Sequence, residues 1–159
     1  MNVVDNDVSA KASPSKKVPY FEGEDLFLTD SSSILKYVRN KSGKAFMEDP
    51  QEYDLYCLAN TLADSTLNLF LLEKDGLTAD NSGYLKRQQS RIESGLDALN
   101  DAVVTEGELN DAQLRIACYL DWALFRERIN IDQHQSLKGM LSHADNIEGF
   151  AETNPRNAV

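Results

Sequence analysis

The side chains with the most to offer chemically crowd into one early stretch, SKKVPYFEGEDLFLTDSSSILKY, residues 15–37. Val18-Pro19 places a proline in a β-prone run. Asp30-Ser31, followed by two more serines, places a carboxylate and a hydroxyl where an apolar helical pattern begins. Taken alone, that pair is an ordinary helix N-cap, because its side-chain oxygens can accept from the first free backbone N–H groups. Lys11, Lys16 and Lys17 form the densest basic cluster, enough to help one small anion but too small for a nucleic-acid footprint. Cys57 and Cys118 stand far apart in apolar helical segments with no CxxC or metal spacing, and read as reduced, buried packing residues. His134 and His143 lack the spacing and carboxylate company of a metal site, so both are expected at the surface and no metal is assigned. Tyr119, Trp122 and Phe125 read as helix packing.

Composition narrows the partners. Twenty-six acidic against 16 basic residues give a formal charge of −10, which repels phosphate backbones and anionic lipid, so neither nucleic acid nor a membrane is expected as a partner. With 42% hydrophobic residues in 159, the chain can bury one core, or one domain with a piece of another. The opening MNVVDNDVSAK has neither the basic nor the apolar region of a secretory signal, and no apolar run is long enough to span a bilayer. A soluble, cytoplasmic protein is expected.

Those residues need elements to hold them. Residues 1–17 read as loop, apart from Val3-Val4, which could end a strand. Val18–Phe21 and Leu26–Thr29, separated by Glu22-Gly23-Glu24-Asp25, suit a hairpin. From Ser31 the apolar period lengthens to between three and four. Ile34, Leu35 and Val38 mark a short helix ending near Lys41-Ser42-Gly43, and Asp49-Pro50 opens a long one running to about Asp75-Gly76. Tyr84 to Val103 form a third helix, with Lys86, Arg87, Arg91 and Glu93 as its solvated face. In ELNDAQLRIACYLDWALFRERI apolar residues point all round, the pattern of a central buried helix. Asn110 and Gln113 can form a capping box at its start, with Leu109 and Leu114 as a hydrophobic staple. A last helix is expected over about Gln133–His143.

Three features in this order resemble the glutathione S-transferase family: KVPYFEGEDLFLTDSSSIL, the capped helix beginning NDAQL, and the closing FAETNP, together spanning nearly all of residues 14–155. The resemblance implies a mostly α fold, in which a partial thioredoxin-like α/β domain (a β-hairpin plus a helix, residues 1–43) precedes an all-α C-terminal helical bundle (residues 49–153). It implies glutathione as cosubstrate and a small electrophile as its partner in conjugation or thiol exchange. Val18-Pro19 would be the family's cis bond, beside which the tripeptide docks as an added strand. Asp30 would pair the γ-glutamyl ammonium, while Ser31 and the helix N-terminus receive the α-carboxylate. Lys17 would meet the glycyl carboxylate. A two-fold homodimer across the helices of residues 50–75 and 83–104 is implied as well.

The departure from the family lies at the N-terminus. Complete members begin with a β-α-β unit carrying the Tyr, Ser or Cys that addresses the glutathione sulfur, and such a unit needs about 30 residues or more. Only 17 precede Val18 here, and they include no tyrosine or cysteine. The expectation is a truncated first domain with glutathione binding, no assigned catalytic residue and impaired turnover. A non-catalytic module for partner binding or dimerisation is the alternative.

Overall fold

The backbone changes type at Ser31, where the sequence period changes. The computed structural model describes residues 13–23, 25–103 and 107–158; the Val3-Val4 strand end and Lys11 lie outside that range. The chain divides into two units, Met1–Glu48 and Asp49–Val159.

In the first unit, β1 (Phe21–Glu22) and β2 (Phe27–Leu28) pair antiparallel with Phe21 opposite Leu28 and Glu22 opposite Phe27. The strands are half as long as expected. Pro19 offers no N–H to a ladder, so pairing begins only two residues beyond it. So short a hairpin needs a helix beside it, and the ring of Phe21 lies 5.3 Å from that of Tyr37 on α1 (Ser31–Lys41). Helix α1 closes on Gly43, whose φ of 69° lets the Gly43 and Lys44 N–H groups return to the carbonyls of Asn40 and Arg39.

The second unit is helical: α2 (Pro50–Glu73), α3 (Gly83–Ala102), α4 (Asp111–Phe125) and α5 (Gln135–Ala144), then a short 3-10 turn at Pro155–Ala158. Asp49 caps α2 with Pro50 in its first position, and Ser82 caps α3. The capping box of α4 is complete: the Asn110 side chain accepts from the Gln113 N–H at 2.9 Å and the Gln113 side chain from the Asn110 N–H at 3.0 Å. Helix α5 is capped from elsewhere. Its N-cap, His134, makes no side-chain cap bond, and Asn100 on α3 accepts the Ser136 N–H at 3.1 Å instead.

Helix α2 packs on α3 and α4, and α5 on α3 and α4. Their apolar stripes meet in a core that includes Leu62, Ile92, Leu99, Ile116, Leu120 and Met140. At Gly95, α3 comes so close to α2 that a Cβ there would lie 2.4 Å from Leu62 Cδ2. Helix α4 corrects one expectation, because it is central without being buried on every side. Ala112, Ile116, Leu120 and Ala123 are inside, but Cys118 is exposed and Leu114, Trp122 and Phe125 are only half-buried. These four lie on one stripe of the helix, which composition alone cannot distinguish from a core face.

Candidate functional site

Hairpin register assembles the candidate residues of the first unit. Because Phe21 opposes Leu28, Pro19 and Asp30 each lie two residues beyond the same terminal pair and leave the hairpin at its open end. The Val18-Pro19 bond is cis, and Val18 is 54% exposed. Before it, residues 13–17 form a turn. The Lys16 N–H donates to the Ser13 carbonyl at 2.9 Å, Lys16 takes a φ of 53°, and the Lys17 N–H donates to Ser15 Oγ at 3.3 Å. Ser13 is buried, with its hydroxyl 2.8 Å from that of Ser15. The sequence signal for this turn was the Ser-Pro-Ser triplet, which composition reads only as loop.

Across the open end, Asp30 begins α1 in extended conformation. Its Oδ1 accepts from the Ser32 N–H at 2.9 Å and from the Ser33 N–H at 3.2 Å. The helix cap is thus present, and the capping carboxylate remains exposed beside the exposed Ser31 at the first helical position. Lys17, Val18, Pro19, Asp30 and Ser31 are all exposed. Chemically, the exposed groups of this segment are the ammonium of Lys17, the carboxylate of Asp30, the hydroxyl of Ser31 and the N-terminus of α1.

The second unit holds titratable groups of a different kind. Tyr119 on α4 and Thr66 on α2 share a buried hydrogen bond of 3.0 Å. Burial raises the Tyr119 phenol above its ordinary value of 10.0, against smaller lowering effects from the Thr66 bond and Arg115. Cys118 is also raised, by desolvation of its sulfur, with Arg115 opposing. It is not the buried packing residue expected, and neither is Cys57, which is half-buried. His134 departs from its expected surface place: its side chain is largely covered and its Nε2 lies 3.0 Å from Asp97 on α3. No group of His, Cys, Asp and Glu able to hold a metal ion occurs among the described residues. Nor, among those residues, is any helix long and apolar enough to cross a membrane.

Two solved structures share this architecture. A glutathione S-transferase from Methylobacterium radiotolerans JCM 2831, solved in complex with glutathione sulfonate, matches with a TM-score of 0.81 at 18% identity, covering 98% of this chain and 80% of that one. A glutathione S-transferase from Actinobacillus pleuropneumoniae matches with a TM-score of 0.71 at 12% identity, covering 93% and 72%. No family model and no curated protein matches the chain. The chain has the glutathione S-transferase fold, mostly helical with a small antiparallel hairpin.

Proposed function

We propose that this chain is a glutathione-binding member of the glutathione S-transferase family, with conjugation or thiol exchange of glutathione with a small electrophile as its parental chemistry. The observation that carries this reading is the likeness, over 98% of the chain, to a glutathione S-transferase solved with glutathione sulfonate. Residues 1–43 then correspond to a partial thioredoxin-like domain and residues 49–153 to the all-α domain. Glutathione docks with its backbone against Val18-Pro19, its γ-glutamyl ammonium on Asp30, its α-carboxylate on Ser31 and the start of α1, and its glycyl carboxylate on Lys17.

Conjugation also requires that the glutathione thiol be drawn toward thiolate near neutral pH and held beside its electrophile. The groups assigned here all grip the ends of the tripeptide. None is assigned to the sulfur, so the reading predicts binding ahead of turnover. The bonds from Ser32 and Ser33 to Asp30 favour one competing reading, that of a helix cap within a non-catalytic module.

Asp30→Ser separates the two, since serine caps a helix about as well as aspartate but cannot pair an ammonium. By titration calorimetry the wild-type chain is expected to bind glutathione sulfonate saturably, and Asp30→Ser about tenfold or more weakly with α1 intact, the loss of one charge-assisted hydrogen bond. No saturable binding at millimolar ligand sinks the proposal. Turnover with 1-chloro-2,4-dinitrobenzene is expected to stay near the uncatalysed rate. A rate typical of a working transferase would show that a residue outside the assigned set activates the sulfur.

The same reading includes a homodimer across α2 and α3. These helices expose Tyr53 and Tyr84 at 46% and 47%, and tyrosine is enriched where protein surfaces meet. Sedimentation equilibrium at micromolar concentration tests it, and a mass fixed at 17.8 kDa across the range would leave the dimer without support.

A further inference from the structure

The C-terminal segment of the second unit is folded largely on itself. Among the described residues, every hydrogen bond made by residues 151–157 stays within residues 149–157, apart from those of the Arg156 guanidinium. The Thr153, Asn154 and Asn157 N–H groups return to the carbonyls of Gly149, Ala151 and Asn154, and the Arg156 N–H donates to Asn154 Oδ1 at 3.0 Å. Asn157 Nδ2 donates to the carbonyls of Ala151 at 2.9 Å and Glu152 at 3.3 Å. Ala151, Glu152, Thr153 and Asn157 are exposed, whereas Phe150 at the root of the segment packs against the core. The tip therefore depends on one side chain for its hold.

That side chain is Arg156. Its Nη1 donates to the Asp121 carboxylate on α4, and its guanidinium lies 5.2 Å over the ring of Phe125, one turn further along the same helix face. Asp121 is only 8% exposed, so its charge is largely withdrawn from water, and Arg156 is the one cation within ion-pair distance of it among the described residues. Arg126 shares the ring, at 5.1 Å, which leaves the carboxylate as the group that singles out Arg156. A planar guanidinium suits both surfaces together, because it forks onto a carboxylate and lies flat on an aromatic face; a compact, strongly hydrated ammonium does so less well.

We infer that Asp121 and Phe125 form a binding site for a guanidinium group, which Arg156 plugs in the free chain, and that an arginine-bearing segment of a basic partner takes the site when residues 151–158 swing out. The strap leaves with its own hydrogen bonds, so opening uncovers the carboxylate and the ring without dismantling α4. Charge favours such a partner: residues 49–159 carry nineteen acids against nine bases, a field that draws basic segments to this unit.

N-acetyl-arginine amide titrated into the isotope-labelled full-length chain, followed by chemical shifts, tests the assignment. In Arg156→Ala, which vacates the site, saturable shifts are expected at Asp121, Trp122 and Phe125, with affinity about tenfold or more above that of wild type, where the tethered arginine competes. N-acetyl-lysine amide is expected to bind more weakly at the same residues. Backbone order parameters read the strap itself: residues 151–158 are expected to fall below about 0.6 in Arg156→Ala while α4 and α5 stay near about 0.85. Asp121→Asn, which removes the buried charge and so leaves none unpaired in the interior, is expected to free the strap in the same way. Residues 151–158 that stay ordered in both variants, no saturable shift at millimolar arginine amide in Arg156→Ala, equal affinity in wild type, or equal binding of the lysine amide would each overturn the inference.

Discussion

The two units solve different problems. In residues 1–48 the seven Lys and Arg balance seven Asp and Glu, whereas residues 49–159 carry nine against nineteen and so account for the whole net charge of −10. Burial divides the same way. Ser13 is the one buried residue described in the first unit, and α1 has none, while the core of Leu62, Leu99, Ile116 and their neighbours belongs entirely to the second. The first unit is therefore shaped by local devices: a serine turn, a cis X-Pro bond, a short hairpin and a capped helix. The second is shaped by packing. Its interior tolerates the surplus of acids because they lie mostly outside it, and the two buried ones, Asp111 and Asp121, sit at the edges of burial, with Asp121 paired to Arg156. Exposed groups held by local turns can be exchanged one residue at a time, and a core cannot.

The comparison breaks most easily at Leu62. Leu62→Ala is expected to cost about 2–5 kcal/mol by chemical denaturation, since the side chain is fully buried between α2 and α3. Gly95→Ala should cost about 1–3 kcal/mol, because its new methyl must displace Leu62. In the double variant the second substitution should cost less than it does alone, as the cavity left by Leu62 receives the methyl. Simple additivity would mean that α2 and α3 adjust without touching at this point.

A smaller effect is expected at Tyr119→Phe, about 1–3 kcal/mol, as the Thr66 hydroxyl loses its buried partner. This variant also carries a pH signature. Burial raises the Tyr119 phenol above 10.0, so the unfolded chain ionises first; the contribution is complete below about pH 10 and is lost as pH rises through the folded value. Stability curves of wild type and Tyr119→Phe should therefore converge at alkaline pH, and parallel curves up to pH 11 would count against the buried hydroxyl pair. Asn110→Ala, which removes one half of the capping box, should cost about 1 kcal/mol, and an unchanged denaturation midpoint would argue that the box is redundant.

The smallest effect on stability belongs to the first unit. Asp30→Ser is expected to shift it by less than about 0.5 kcal/mol, because the new hydroxyl still caps α1. A cost comparable to that of Leu62→Ala would erase the contrast between the two units.

Much of the first unit was legible because its devices are local. Asp30 sits three residues before Ser33, Gly43 follows the last helical turn, and Pro19 punctuates a strand, so each signal lies within a few residues of its effect. The strands were overestimated because β-propensity does not register the missing proline N–H. The Asn110 box was legible for the same reason as Asp30, with both partners on one short segment. The cap of α5 was not, since Asn100 lies 36 residues from the Ser136 N–H that it accepts.

What the sequence by itself determined is the order of elements, where helices start and stop, the candidate groups at Lys17, Val18, Pro19, Asp30 and Ser31, and the sign of the charge. Periodicity and capping act over three or four residues, which is the range that reading along a chain can resolve. Tertiary structure alone decided which face of α4 is covered, that Tyr119 meets Thr66 and that His134 meets Asp97. Those outcomes depend on how helices far apart in sequence fill one another's grooves. Close packing leaves each side chain the space that its neighbours do not take, and that space is a property of the assembled interior.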